Sequence, residues 1–274
     1  MRNCEADLLP QMNTDFTDLA EKIRVHLCES VAKNRMNLTA MTRGAFCVPT
    51  TQSTNCVILW LYKHIMTQRF YLHPENPQPR LIKQAAQMLR DGAVIAYPTD
   101  SSYALGCHLG DANAVKLLRQ LRGVDDKHHL TLVCADLSEL GKYARVDNPA
   151  FRLLKLATPG AYTFILEGTR EVPKRLLHPK RATLGLRVPD HPVVQALLHE
   201  LGEPILSATL IPPDSDLALN DPEDIANLMP RSLAAILDAG PCPEAATTVI
   251  DMTSGTPEVI RVGTGSLERL GLSA

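Results

Sequence analysis

The chain has 274 residues, 45% of them hydrophobic, and 28 lysines and arginines against 30 aspartates and glutamates give a net charge of −2. That is enough apolar material for one large core or two modest ones. The near balance of charge excludes a global basic field of the kind that announces nucleic acid, although a local basic cleft stays open. The seven cysteines, Cys4, Cys28, Cys47, Cys56, Cys107, Cys134 and Cys242, form no CxxC pair, no metal-ligand spacing and no secreted disulfide framework. They read as reduced thiols of a cytoplasmic protein.

Residues 1–65 differ in texture from the rest. They hold four of the seven cysteines and the single tryptophan, Trp60, and their one periodic stretch is "FTDLAEKIRVHLCESV", which predicts an amphipathic helix over 16–31. The apolar run "CVILWLY" at 56–62 falls far short of the ~20 residues a membrane span needs. "MRNCEADLLP" lacks the basic-then-apolar order of a secretory signal. We expect 1–65 to be a poorly structured extension that buries too little apolar surface to offset its ordering entropy. Met66 is then the expected native start of a domain running over 66–274.

From residue 70 the predicted elements alternate. "NPQPRLIKQAAQMLRDG" reads as a helix stopped by Gly92, "AVIAYP" and "YALGCHL" as strands, and "DANAVKLLRQLRG" as a helix with Asp111 as N-cap and Gly123 as C-cap. "LTLVCA" is a strand and "NPAFRLLKLATPG" a helix ending at Pro159. "YTFILEG" and "ATLGLRVP" are strands, "HPVVQALLHELG" a helix, "PILSATLI" a strand and "DPEDIANLM" a short helix. "LAAILDAG", "TTVIDMT" and "EVIRVG" close the chain as strands. Buried strands with interleaved helices argue one α/β domain around a large mixed sheet.

Common nucleotide and hydrolase motifs are missing: no GxxxxGK[ST], no GxGxxG after a strand, no GxSxG and no HExxH. His128 and His129 are adjacent, and on a strand they would point to opposite faces, which argues against a shared metal. The informative stretch is "VIAYPTDSSYALG" at 94–106. Pro98 lacks an N–H and ends the strand. Thr99, Asp100, Ser101 and Ser102 then supply hydroxyls, a carboxylate and free N–H groups beyond a strand's C-terminal end, where open α/β sheets commonly bind ligands. The same residues also suit a ligand-free Asx or Ser/Thr turn. Arg187 ends a second strand, between Leu186 and Val188, and an arginine in a core strand needs a fixed anionic partner. Arg122, Lys127 and Arg261 are further cations that could complete an anion site.

The blocks "VIAYPTDSSYALG", "TPGAYTFIL", "LGLRVPDHPVVQALL", "PILSATLI", "TTVIDMT" and "VIRVG" resemble, in order and spacing, the YrdC/YciO-like proteins, over roughly residues 70–265 and closest to the YciO branch. That resemblance implies a YrdC-like twisted open sheet flanked by helices with a concave electropositive cleft. It implies threonylcarbamoyladenylate synthesis from threonine, bicarbonate and ATP with Mg²⁺, for tRNA modification. It also carries an alternative: a non-catalytic module that holds double-stranded RNA or tRNA. By motif position it assigns nucleotide and substrate binding to Thr99, Ser101, Arg122, Lys127, Arg187, Ser207, Thr209, Thr247 and Arg261. Two positions depart from the synthases: Gln120 stands where their KxR motif has lysine, and Thr209 with Ile211 stands at their SxN motif, so a hydrocarbon replaces an amide.

A chain beginning at Met66 is expected to keep the thermal midpoint and ligand affinity of the full chain. A large drop in melting temperature on truncation would show that the 16–31 segment packs on the domain.

Overall fold

The computed structural model describes residues 67–125, 128–213 and 215–272. The predicted helix at 16–31, the start at Met66 and Lys127 lie outside the described residues. The elements run β1 (Gln68–Tyr71), α1 (Pro79–Arg90), β2 (Ile95–Tyr97), β3 (Ala104–His108), α2 (Ala112–Arg122), β4 (Thr131–Val133), α3 (Leu137–Tyr143), α4 (Asn148–Ala157), β5 (Tyr162–Glu167), β6 (Thr183–Arg187), α5 (Pro192–Leu201), β7 (Ile205–Thr209), α6 (Pro222–Leu228), β8 (Ala235–Asp238), β9 (Thr248–Asp251) and β10 (Glu258–Arg261). Short 3₁₀ turns at Lys174–Leu176 and Glu268–Leu270 complete them.

The strands form one mixed sheet in the order β1-β8-β2-β3-β7-β4-β6-β5-β9-β10. β1–β8, β8–β2, β4–β6 and β5–β9 are parallel, and the remaining neighbours are antiparallel. Alternation along each strand sends successive side chains to opposite faces. Leu132, Phe164, Leu186, Leu206 and Ile250 go to one face and pack with Leu118 of α2, Leu154 of α4 and Ile225 of α6. Ile95, Tyr97, Ile205, Ala235 and Leu237 go to the other, under Leu89 of α1 and Val194 and Leu198 of α5. Complete burial of a leucine or phenylalanine of this kind is worth ~1.5–3 kcal/mol.

Helix ends follow the chemistry of their residues. Pro79 starts α1, where its missing N–H is no loss. Asp111 caps α2, its carboxylate accepting from the N–H groups of Asn113 (2.7 Å) and Ala114 (3.0 Å), and Gly123 ends it at φ +66°. Two elements were not anticipated. β1 is four residues long and sits at the sheet edge, paired on one side only with β8, so "QRFY" carries no clear alternation. α3 is a seven-residue helix with one buried residue, Leu140, too little for a periodic signal. Among the described residues, no helix is long and apolar enough to cross a membrane.

The two N–H donors, Ala114 first and then Asn113, hold the Asp111 carboxyl below its ordinary value. A depressed folded-state pKa gives stability that is present above the unfolded value and lost as pH falls through the folded one. Asp111→Ala should therefore lower stability by about 1 kcal/mol at pH 7, and the gap from the parent should narrow below pH ~4. Urea denaturation at the two pH values measures both.

Candidate functional site

The polar turn after β2 is held by its own side chains. Thr99 Oγ1 accepts from the N–H groups of Ser101 (3.2 Å) and Ser102 (3.3 Å) and donates to the Ser102 carbonyl (2.6 Å). It is thus a Ser/Thr turn, and it also forms part of a cavity wall, because Thr99 and Ser102 line a cavity of about 220 Å³. Arg187 reaches into this turn from the end of β6. Its Nη2 donates to Ser101 Oγ (3.1 Å) and Thr99 Oγ1 (3.5 Å) and pairs with the Asp100 carboxylate. The other Asp100 oxygen accepts from the Asp190 N–H (3.1 Å). The anionic partner expected for Arg187 is therefore Asp100. Burial pushes Arg187 down from its usual range, to about 10. Even so, the guanidinium stays charged at neutral pH. Arg187 Nε is buried with no hydrogen-bond partner.

The remaining cavity wall is one face of the sheet. Ser207 and Thr209 on β7, Thr131 and Val133 on β4, Gly185 and Arg187 on β6, and Thr163 and Ile165 on β5 are alternate residues of neighbouring strands. Thr247, Val249 and Arg261 continue the surface through β9 and β10. Arg261 donates from Nε to the Thr247 carbonyl (3.1 Å) and from Nη2 to Thr247 Oγ1 (3.2 Å), which lies 3.0 Å from Thr163 Oγ1. Arg122, in the last turn of α2, donates from Nη1 to the Ile211 carbonyl (3.2 Å), while its Nε is buried without a partner. Burial lowers the pKa of both Arg122 and Arg261.

Of the predicted site residues, Thr99, Arg122, Arg187, Ser207, Thr209, Thr247 and Arg261 line this one cavity. Ser101 lies behind the lining and holds Arg187. Lys127 lies outside the described residues. Ile211 lines the cavity, whereas Gln120 is exposed and does not. The histidine expectation needs correction. β4 begins only at Thr131, so His128 and His129 precede it in non-strand backbone, and both line the cavity instead of facing opposite ways. Burial first, then Arg122 and Arg119, lowers the pKa of His128. Burial first, then His178, lowers that of His129, whose ring stacks on His178 at 4.8 Å. Both shifts favour the neutral imidazole. Thr131 and Thr163 were not predicted, and their signal was present: each is a hydroxyl residue alternating with large apolar neighbours in a buried strand, the pattern of Ser207 and Thr209. Among the described residues there is no cluster of three or more His, Cys, Asp or Glu able to hold a metal ion. The described cysteines, Cys107, Cys134 and Cys242, are buried and free. Burial raises all three thiols, Cys107 to about 12 and Cys242 to about 11, so they stay protonated and inert.

A family model named Sua5_yciO_yrdC, described as telomere recombination, matches residues 87–263. The chain belongs to the Sua5/YciO/YrdC family. YciO of Escherichia coli is 52% identical over 203 residues, which are 74% of this chain and 98% of that protein. Its crystal structure matches with a TM-score of 0.73, covering 75% of this chain and 100% of YciO. The threonylcarbamoyl-AMP synthase of Bacillus subtilis is 32% identical over 196 residues, 70% of this chain but 55% of the synthase. The crystal structure of P. abyssi Sua5 complexed with L-threonine matches with a TM-score of 0.69 at 26% identity, covering 74% of this chain and 60% of Sua5. The chain is thus a YciO-type member of the Sua5/YciO/YrdC family, with the twisted mixed sheet and flanking helices of YciO and Sua5.

The ion pair carries a stability prediction. Removing one partner of a buried pair leaves an uncompensated charge and costs ~3–5 kcal/mol, whereas replacing both with apolar groups is often close to neutral. Asp100→Ala should fall in that range by urea denaturation, and Asp100→Ala with Arg187→Met should recover most of the loss.

Proposed function

We propose that this chain binds ATP and a threonine-like α-amino acid in the arginine-lined cavity and works on a threonylcarbamoyl-AMP type of adenylate. The observation that carries the reading is the convergence of Arg122, Arg187 and Arg261 with the hydroxyls of Thr99, Thr131, Thr163, Ser207, Thr209 and Thr247 on one cavity. It occurs in a chain 32% identical to a threonylcarbamoyl-AMP synthase. No carboxylate lines the cavity among the described residues, so its fixed charge suits phosphate and carboxylate groups.

In this reading the amino acid's amine adds to bicarbonate with loss of water, giving a carbamate. A carbamate oxygen attacks the α-phosphorus of ATP, and the bond to pyrophosphate breaks. Mg²⁺ enters with the ATP phosphates as part of the substrate. The arginines bind phosphate and stabilise the charge that develops on it, which is the main contribution a protein makes to phosphoryl chemistry. The volume of about 220 Å³ lies below the roughly 300–1,000 Å³ usual for small-molecule clefts. It suits the amino acid and carbamate, with the nucleoside at the mouth. The hydrocarbon of Ile211 and the displaced Gln120 remove two polar contacts, each worth ~1.5–3 kcal/mol if charge-assisted, and turnover is correspondingly slow. The RNA-binding alternative has no specific observation in its favour: duplex binding needs spaced, exposed cations, whereas Arg187 is buried and ion-paired.

The test is pyrophosphate release by the purified chain from ATP, with and without L-threonine and bicarbonate, together with the mass of the nucleotide product. Release that requires both co-substrates is expected. Arg122→Ala and Arg261→Ala should each weaken AMP binding ~10-fold, about 1.4 kcal/mol, by titration calorimetry. AMP bound in the cavity without any release would mean another acyl donor, and failure to bind AMP at all would sink the reading.

A further inference from the structure

Tyr97 does not line the cavity, yet its hydroxyl governs a group that does. It is the last residue of β2 and fully buried. Its ring crosses β3 above Gly106, the residue opposite Ser207 in the β3–β7 pairing. A Cβ at 106 would sit 2.6 Å from Tyr97 Cε1 and 2.8 Å from Ile205 Cγ2, so glycine is what leaves the ring room to pass. At the far side, the Tyr97 hydroxyl meets Ser207 Oγ at 2.6 Å. Ser207 Oγ in turn meets the Leu105 carbonyl at 3.0 Å.

The direction of these two bonds follows from proton counting. A carbonyl oxygen only accepts, so the single Ser207 proton goes to Leu105. A serine that has spent its proton can only accept from tyrosine. Burial pushes the Tyr97 hydroxyl up to about 12, so it keeps its proton throughout the working range and is a permanent donor. What Ser207 has left is a lone pair, on a residue that lines the cavity. The cavity is also lined by a complementary cation, the guanidinium of Arg187. An acceptor and a cationic donor in one small cavity match the ammonium and carboxylate of an α-amino acid.

The geometry points to Tyr97 as a positioning residue that makes Ser207 an obligate acceptor, so that this part of the cavity takes the ammonium or hydroxyl of an amino acid and rejects an anion. This inference rests on the function proposed above and gives its amino-acid subsite a polarity. A carboxylate cannot use Ser207, and neither can the AMP phosphate in its dianionic form, the main one near pH 7, because neither carries a proton to donate. Those groups fall to Arg122, Arg187 and Arg261 instead.

The test uses the full chain with Tyr97→Phe, Ser207→Ala and the two combined, titrated calorimetrically with L-threonine, with 3-hydroxybutanoate, which lacks the ammonium, and with AMP. Each single variant should weaken L-threonine ~5-fold, the effect of about one hydrogen bond, while AMP stays within about twofold of the parent. In the Ser207→Ala background, Tyr97→Phe should cause no further loss, since Tyr97 acts through Ser207. The preference of the parent for L-threonine over 3-hydroxybutanoate should shrink in all three. A Tyr97→Phe effect that persists without Ser207, or that strikes AMP equally, would make Tyr97 a packing residue and overturn the inference. If Tyr97→Phe fails to fold, Ser207→Ala alone still decides the subsite, because unchanged L-threonine affinity overturns it. A parent chain that binds AMP but no amino acid overturns the subsite alone; one that binds neither removes the proposed function as well.

Discussion

The guanidinium of Arg187 is a charge buried at the end of a core strand, and the structure around the cavity depends on how that charge is compensated. Its ion-pair partner among the described residues, Asp100, comes from the turn after β2, four strands away from β6 in the sheet. The pair therefore ties together the ends of strands that do not touch. It also fixes the turn: Asp100 accepts from Arg187 and from the Asp190 N–H, while Thr99 and Ser101 accept from the same guanidinium. With Asp100 on one side of the cation, Nε is left buried without a hydrogen-bond partner. A charge held this way is costly to assemble and costly to break.

The second constraint is the division of labour between the two sheet faces. On one face large apolar side chains pack continuously from β3 to β9 under α2, α4 and α6. On the other, α1 and α5 cover only the part that carries Ile95, Tyr97, Ile205, Ala235 and Leu237. Beyond that cover the same face turns to Thr131, Gly185, Thr163 and Val249, small or hydroxyl-bearing residues that leave volume. Gly185 shows how tight this is: a Cβ there would lie 3.0 Å from Thr131 Oγ1. The cavity is thus what remains when two helices cover half of a surface and the other half is paved with short side chains.

Much of this was legible in the chain itself. Asp111 and Gly123 announced both ends of α2, and Pro98 marked the end of β2, because caps and imino acids act locally. The arginines and hydroxyls of the cavity were legible through the family resemblance, and seven of the nine named residues line it. What was missed depended on tertiary context. Among the strands β1 pairs only with β8, from residues 235–238, and nothing in "QRFY" reveals that partner. His128 and His129 were read as if on a strand, yet the strand starts two residues later. Gln120 was weighed as part of the site from its motif position, whereas its place on α2 puts it in solvent. Thr131 and Thr163 were overlooked because one hydroxyl in a strand is unremarkable until three strands, β4, β5 and β7, are seen to carry them on the same face.

The order of strands in space has a consequence for the birth of the molecule. The cavity draws its first wall from Thr99 and its last from Arg261, and β3 pairs with β7 about a hundred residues downstream. Contacts so far apart in sequence close long loops before they gain anything, which slows folding. During synthesis, at roughly 5–20 residues per second, the cavity wall of β9 and β10 emerges last. A nascent chain that has exposed β2 through β7 already carries Asp100 and Arg187 but not Thr247 or Arg261. The cavity is therefore complete only when translation is nearly finished, and a truncated product lacking the final strands would present it without Thr247 and Arg261.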